Sequence, residues 1–118
     1  MLGKFVIAAI PFAEGDGRYK VRPALVLAQR KMGDQTYYLV APKYSASEKV
    51  RGDNEVVLSV EESILLGLDK EGVVRLSKGN LAAISESGVI RVLQHYKRLP
   101  ALKAKSLQLA AKKLGCAI

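Results

Sequence analysis

Over most of the chain, apolar residues fall in runs of four to six, the length of strands rather than helices. Phe5-Val6-Ile7-Ala8-Ala9-Ile10, closed by Pro11, predicts a first strand. Pro23-Ala24-Leu25-Val26-Leu27 predicts a second, with the proline at its start, where a missing N–H is tolerated. Gly33-Asp34 marks a turn. Thr36-Tyr37-Tyr38-Leu39-Val40 then forms the other arm of a hairpin, with its loop near 31–35 and its end at Pro42. Glu55-Val56-Val57-Leu58 reads as a fourth strand, so the first four lie near 4–10, 22–29, 36–42 and 54–58.

The helical signals are fewer and more local. Ser59-Val60-Glu61-Glu62 is a capping box, with Ser59 as N-cap and Glu62 at the third helical position. It opens a short helix running to about Leu66 and closed by Gly67. Val73–Leu76, Asn80–Ile84 and Val89–Leu93 are further short strands. Pro100 is suited to open a last helix over about 101–114. Ala104, Leu107, Ala111 and Leu114 make its apolar stripe at 3, 4, 3 spacing, and Lys103, Lys105, Lys112 and Lys113 lie largely off it. Two polar stretches remain: 13–20, with Gly15 and Gly17 around an aspartate, and 43–54, basic, without periodicity, and expected to be a mobile surface loop. The fold class is mostly β with minor α: a small, strongly curved sheet or barrel with one inserted and one terminal helix, a single domain over 1–118.

Composition narrows the function classes. The single cysteine, Cys116, forms neither an internal disulfide nor a four-cysteine zinc site, and a reducing compartment is the simplest setting. No segment approaches the roughly 20 apolar residues of a membrane span. The apolar start is followed by acidic residues and glycines rather than a small-residue cleavage site, so a cytoplasmic protein is expected, with no membrane partner. Nineteen Lys and Arg against 11 Asp and Glu give a formal charge of +8. Such a surface attracts phosphate and releases counterions on binding nucleic acid, or else docks an acidic protein.

The side-chain chemistry is sparse. With one histidine, His95, no paired-histidine metal site exists, and a structural role for it is the simplest reading. No phosphate-cradling P-loop occurs, because Gly15-Asp16-Gly17 lacks the following lysine and helix. What remains is a pair of basic loops. Arg18, Lys20 and Arg22 end one, and Lys43, Tyr44, Ser45, Ser47, Lys49 and Arg51 fill the other. Antiparallel pairing of the hairpin sets the start of its first strand beside the end of its second, so Arg22 lies near Pro42–Ser45. A guanidinium grips two phosphate oxygens, and a neighbouring hydroxyl orients or moves a proton. A solvated basic loop is the plainer alternative.

The order of these pieces resembles the MazF/PemK/Kid family of ribonuclease toxins. The residues that carry the resemblance are the opening strand with Pro11-Phe12, the Val21-Arg22-Pro23-Ala24-Leu25-Val26-Leu27 run, and Leu39-Val40-Ala41-Pro42 with its polar loop. Gly72–Leu76, Asn80–Ile84 and the terminal helix extend it over nearly the whole chain. The resemblance implies an SH3-like barrel, a homodimer, and cleavage of single-stranded RNA by its own 2′-hydroxyl, without a metal or other cofactor. It implies that Arg22 stabilises the pentacoordinate phosphate and donates a proton, and that an acidic antitoxin protein holds the enzyme inactive. Arg18, Lys20, Lys43, Ser47, Lys49 and Arg51 would contact RNA, and Ser45 would assist with its hydroxyl. In one respect the chain departs from the family, which usually has Thr-Ser after the third strand. Here Tyr44 stands in the threonine's place, ahead of Ser45, with its hydroxyl on a long rigid ring. Gln94-His95 is a second departure, where a glycine is common. The alternatives are a barrel that binds RNA or an acidic partner without cutting, and a gyrase-directed toxin of the same barrel.

Overall fold

The computed structural model describes residues 1–11, 17–45 and 54–118. It contains seven strands, β1 Lys4–Pro11, β2 Tyr19–Met32, β3 Gln35–Ser45, β4 Glu55–Leu58, β5 Gly72–Arg75, β6 Ala82–Ser85 and β7 Val89–His95, and two α-helices, α1 Val60–Leu65 and α2 Ala101–Lys113. All strand pairs are antiparallel, in the order β4-β5-β3-β2-β1-β7, with β6 also paired to β3. The fold is therefore mostly β, a curled, barrel-like sheet with an inserted and a C-terminal helix.

The hairpin is longer and tighter than the sequence suggests. β2 begins at Tyr19 rather than near 22, and its pairing with β3 runs to Met32↔Gln35, leaving Gly33 and Asp34 as a two-residue turn. Pro23 is thus interior to β2. The ladder to β3 ends at Ala24↔Pro42, so Pro23 lies one position beyond it. Pro42 sits where the outer edge of β3 changes partner, from β6 at Val40↔Ala82 to β5 at Lys43↔Val74. Pro42 stands at a change of partner and Pro23 just past the ladder to β3, although it is still opposite Ile7 in the ladder to β1. A register shift between Val26 and Ala28 bends the hairpin midway.

Two apolar clusters lie on opposite faces of β1–β3. Phe5, Leu25, Leu27 and Ala41 join Val56, Leu58, Val74 and Leu76, and α2 closes this cluster with Leu107, Ala110 and Ala111. Ala104 and Leu114 pack at its margin, so the expected stripe is the buried face of α2. The alternate residues Val6, Ala8, Ile10, Ala24, Val26 and Val40 meet Tyr38 and Ile84 on the other face. Asn54 ties the first cluster together. Its side-chain amide donates to Leu76 O at 3.0 Å and to Ala110 O at 2.8 Å.

The helix signals hold at residue level. Ser59 Oγ accepts from the Glu62 amide and Glu62 Oε1 accepts from the Ser59 amide, completing the capping box. Both helices end in the same motif. Gly67 and Gly115, at φ +90° and +80°, donate to Ile64 O and Lys112 O, while Leu68 and Cys116 donate to Ser63 O and Ala111 O. Cys116 is therefore tied to α2, and Tyr96 Oη donates to Ile118 O at 3.0 Å. Pro100 is the N-cap of α2 rather than its first residue. His95 ends β7 in a structural role: its Nδ1 accepts from the Lys97 amide at 3.2 Å and its ring tilts on Tyr96.

Candidate functional site

The second apolar face runs out to solvent at one end of the hairpin, and the charged residues gather there. Along β2, Ala24 and Val26 are buried and Arg22 continues their side of the strand; along β3, Val40, Pro42 and Tyr44 do the same. Arg22 and Tyr44 are thereby neighbours across the pair, with the Arg22 guanidinium carbon 4.3 Å from the Tyr44 ring centroid. On the other side of β3 lies β5, whose Arg75 guanidinium carbon is 4.4 Å from the same centroid. The two guanidiniums come from strands on opposite sides of β3. Tyr44 is accordingly sandwiched between them. Each contact is an electrostatic attraction to the negative ring face, worth about 0.5–2 kcal/mol.

Arg75 is itself paired. Glu55 faces it across β4 and β5, with Oε1 3.6 Å from Arg75 Nε. The Glu55 side chain is 5% exposed and that of Arg75 14%. Among the described residues, neither Glu55 oxygen has a hydrogen-bond partner.

The other expected residues separate into groups. Ser45 ends β3, exposed, and pairs with Gly72. Lys43 is buried, and its Nζ donates to Glu71 O at 3.3 Å. Burial pushes its pKa below the usual lysine value, and the charges of Asp69 and Glu71 partly offset this. Gly72 makes room for it, since a Cβ there would meet Tyr44 O and stand 2.8 Å from Lys43 Cε and Nζ. Lys43 thus turns inward instead of offering an exposed charge. Arg18 and Lys20 are exposed on the approach to Arg22, with Lys20 opposite Ile10. Lys43, Tyr44 and Ser45 belong to β3 rather than to the expected loop. Ser47, Lys49 and Arg51 lie outside the described residues.

Tyr44 borders two clefts. One, of about 320 Å³, is lined by Lys20, Arg22, Lys43, Ser45, Asp69 and Glu71, and the other, of about 310 Å³, by Ile10, Pro11, Asn80 and Leu81. A larger cleft of about 520 Å³ lies away from these charges, between the end of α2 and residues 115–118. Among the described residues, no three His, Cys, Asp or Glu side chains come together as a metal site requires. No described helix is long and apolar enough to cross a membrane.

Sequence reasoning missed Arg75 and Glu55 as members of this cluster. Their signal was a lone charge at the edge of a short apolar strand, Glu-Val-Val-Leu and Gly-Val-Val-Arg, in strands that prove to be adjacent. No protein-family model matches the chain, and no curated protein matches it.

Proposed function

We propose that the protein is a toxin-type endoribonuclease of the kind its sequence resembles, the MazF/PemK/Kid family, acting on single-stranded RNA from an SH3-like barrel. The observation that carries this reading is the Arg22–Tyr44–Arg75 sandwich at the solvent end of the hairpin. Guanidiniums bind phosphate oxygens through their N–H groups, and contact with an aromatic ring is compatible with that role. The +8 charge of the chain supports a polyanionic substrate. In this reading the 2′-oxygen attacks the neighbouring phosphorus, the bond to the 5′-oxygen breaks, and Arg22 meets the charge that grows on the phosphorane oxygens. A homodimer inhibited by an acidic antitoxin belongs to the same proposal.

A second reading has its own support. Tyr44 replaces a small hydroxyl residue with a ring committed on both faces, which suits a barrel that binds RNA without cutting it.

Purified protein incubated with single-stranded RNA oligonucleotides separates these readings. The wild type is expected to cut, and Arg22→Ala to lose about 10²–10³ in rate while circular dichroism is unchanged. Arg22→Lys recovers little, because a point charge does not make the bidentate contact. Equal cutting by Arg22→Ala would remove Arg22 from the chemistry. A wild type that binds RNA without cutting, beside a Tyr44→Thr variant that cuts, would establish the second reading.

A further inference from the structure

We infer that Glu55 is a positioning residue, whose buried carboxylate holds the Arg75 guanidinium over the Tyr44 ring and so fixes the geometry of the three-membered cluster. The carboxylate is withdrawn from water, its side chain 5% exposed, yet among the described residues neither oxygen has a hydrogen-bond partner. Buried polar atoms are almost always hydrogen-bonded, and an exception calls for a reason. The Arg75 partner stands 3.6 Å away, beyond the roughly 2.7–2.9 Å of a charge-assisted hydrogen bond. A buried ion pair compensates its desolvation only when its geometry is close, and well-packed apolar residues serve stability as well or better. Stability therefore does not account for a carboxylate at this position.

The geometry supplies the reason. Arg75 is drawn both to the carboxylate, through Nε, and to the ring, whose centroid lies 4.4 Å from its guanidinium carbon. Closing the ion pair fully would lift the guanidinium from the ring. The wide separation is the compromise between the two attractions, and Glu55 limits how far Arg75 can slide or swing. Because Tyr44 is shared, the restraint reaches Arg22 on the opposite face. The carboxylate also offsets the mutual repulsion of two cations placed on one ring.

Two measurements test the inference, and only one rests on the RNA-directed reading. The first needs no RNA. Side-chain protons of an arginine held over an aromatic ring resonate upfield, and Tyr44→Leu identifies which resonances owe their shift to this ring. Glu55→Gln, nearly the same shape without the charge, is expected to move the Arg75 resonances toward random-coil positions, and Glu55→Asp to move them less. Unmoved Arg75 resonances in Glu55→Gln would overturn the inference. The second is kinetic. If the protein cuts RNA, Glu55→Gln lowers kcat by up to about 10²-fold, the cost of a reacting group misplaced by about 1 Å. KM stays level or falls, since Arg75 is released toward phosphate. An unchanged kcat would overturn the positioning role even with shifted resonances. A wild type that cuts no RNA would defeat the proposed function, and the Arg75 resonances would still decide the role of Glu55.

Discussion

Tyr44 places an aromatic ring between two like charges, an arrangement that needs a counter-charge nearby and residues on three adjacent strands. Single residues elsewhere show the same dependence on surroundings. His95 is held below its ordinary pKa of about 6.5, first by burial and then by the charge of Lys97, with Lys4 acting in the same direction and the Leu2 backbone opposing it. A folded-state pKa below the unfolded one means that the unfolded chain takes up the proton first as pH falls. The contribution of His95 to stability is thus complete above about pH 6.5 and is lost as pH drops through and below that value. Melting temperature is therefore expected to fall more steeply between pH 7 and pH 5 for the wild type than for His95→Gln. Parallel profiles would mean that the protonated ring is tolerated in place. Lys43 is the opposite kind of case. Its exposed-loop context in the sequence suggested a phosphate ligand, but a small neighbour, Gly72, admits its side chain to the interior.

At the scale of elements, local chemistry was readable and long-range pairing was not. The Ser59–Glu62 box, the glycines that end both helices and the stripe of α2 each depend on residues a few positions apart, and each appears as the sequence suggests. The nearness of Arg22 to residues 42–45 was legible for a related reason, since a hairpin fixes its own register through its turn. Arg75 and Glu55 were not. They reach Tyr44 only because β5 takes over the outer edge of β3 where β6 leaves it, a choice made by tertiary packing. Asn54 was equally invisible, although it joins Leu76, just past β5, to α2 through two hydrogen bonds across 22 and 56 residues of chain. Asn54→Ala leaves the Leu76 and Ala110 carbonyls without that donor. It is expected to cost about 1–3 kcal/mol, measured by urea unfolding. A loss within error would show that water replaces the amide without penalty.

For the molecule as a whole, charge is the property that acts at a distance. A surface at +8 speeds and tightens encounter with a polyanion in a way that salt screens. If single-stranded RNA is the partner, log affinity should fall linearly with log salt, with a slope of roughly 0.7 for each phosphate neutralised. Arg22→Ala should reduce that slope by about one contact and weaken binding similarly for all sequences. Affinity indifferent to salt would point away from nucleic acid and toward an apolar protein interface. Such surfaces exist here: Val57, Ile64 and Leu65 near α1, and Ile90 and Val92 on β7, are all substantially exposed.

The two-residue turn of the β2–β3 hairpin carries a consequence for how such a gene can vary. Arg22 and Tyr44 share a side only because the two arms are counted from that turn with the right parity. Replacing residues between them leaves the parity intact, whereas inserting or deleting a single codon in one arm inverts it. Arg22 would then face away from the ring while much of the strand remained apolar enough to fold. The shift between Val26 and Ala28 is one place where an odd residue is already absorbed. Among variants of this chain, length changes between residues 22 and 44 should therefore arise in pairs or concentrate at that shift, while substitutions spread more evenly along both arms.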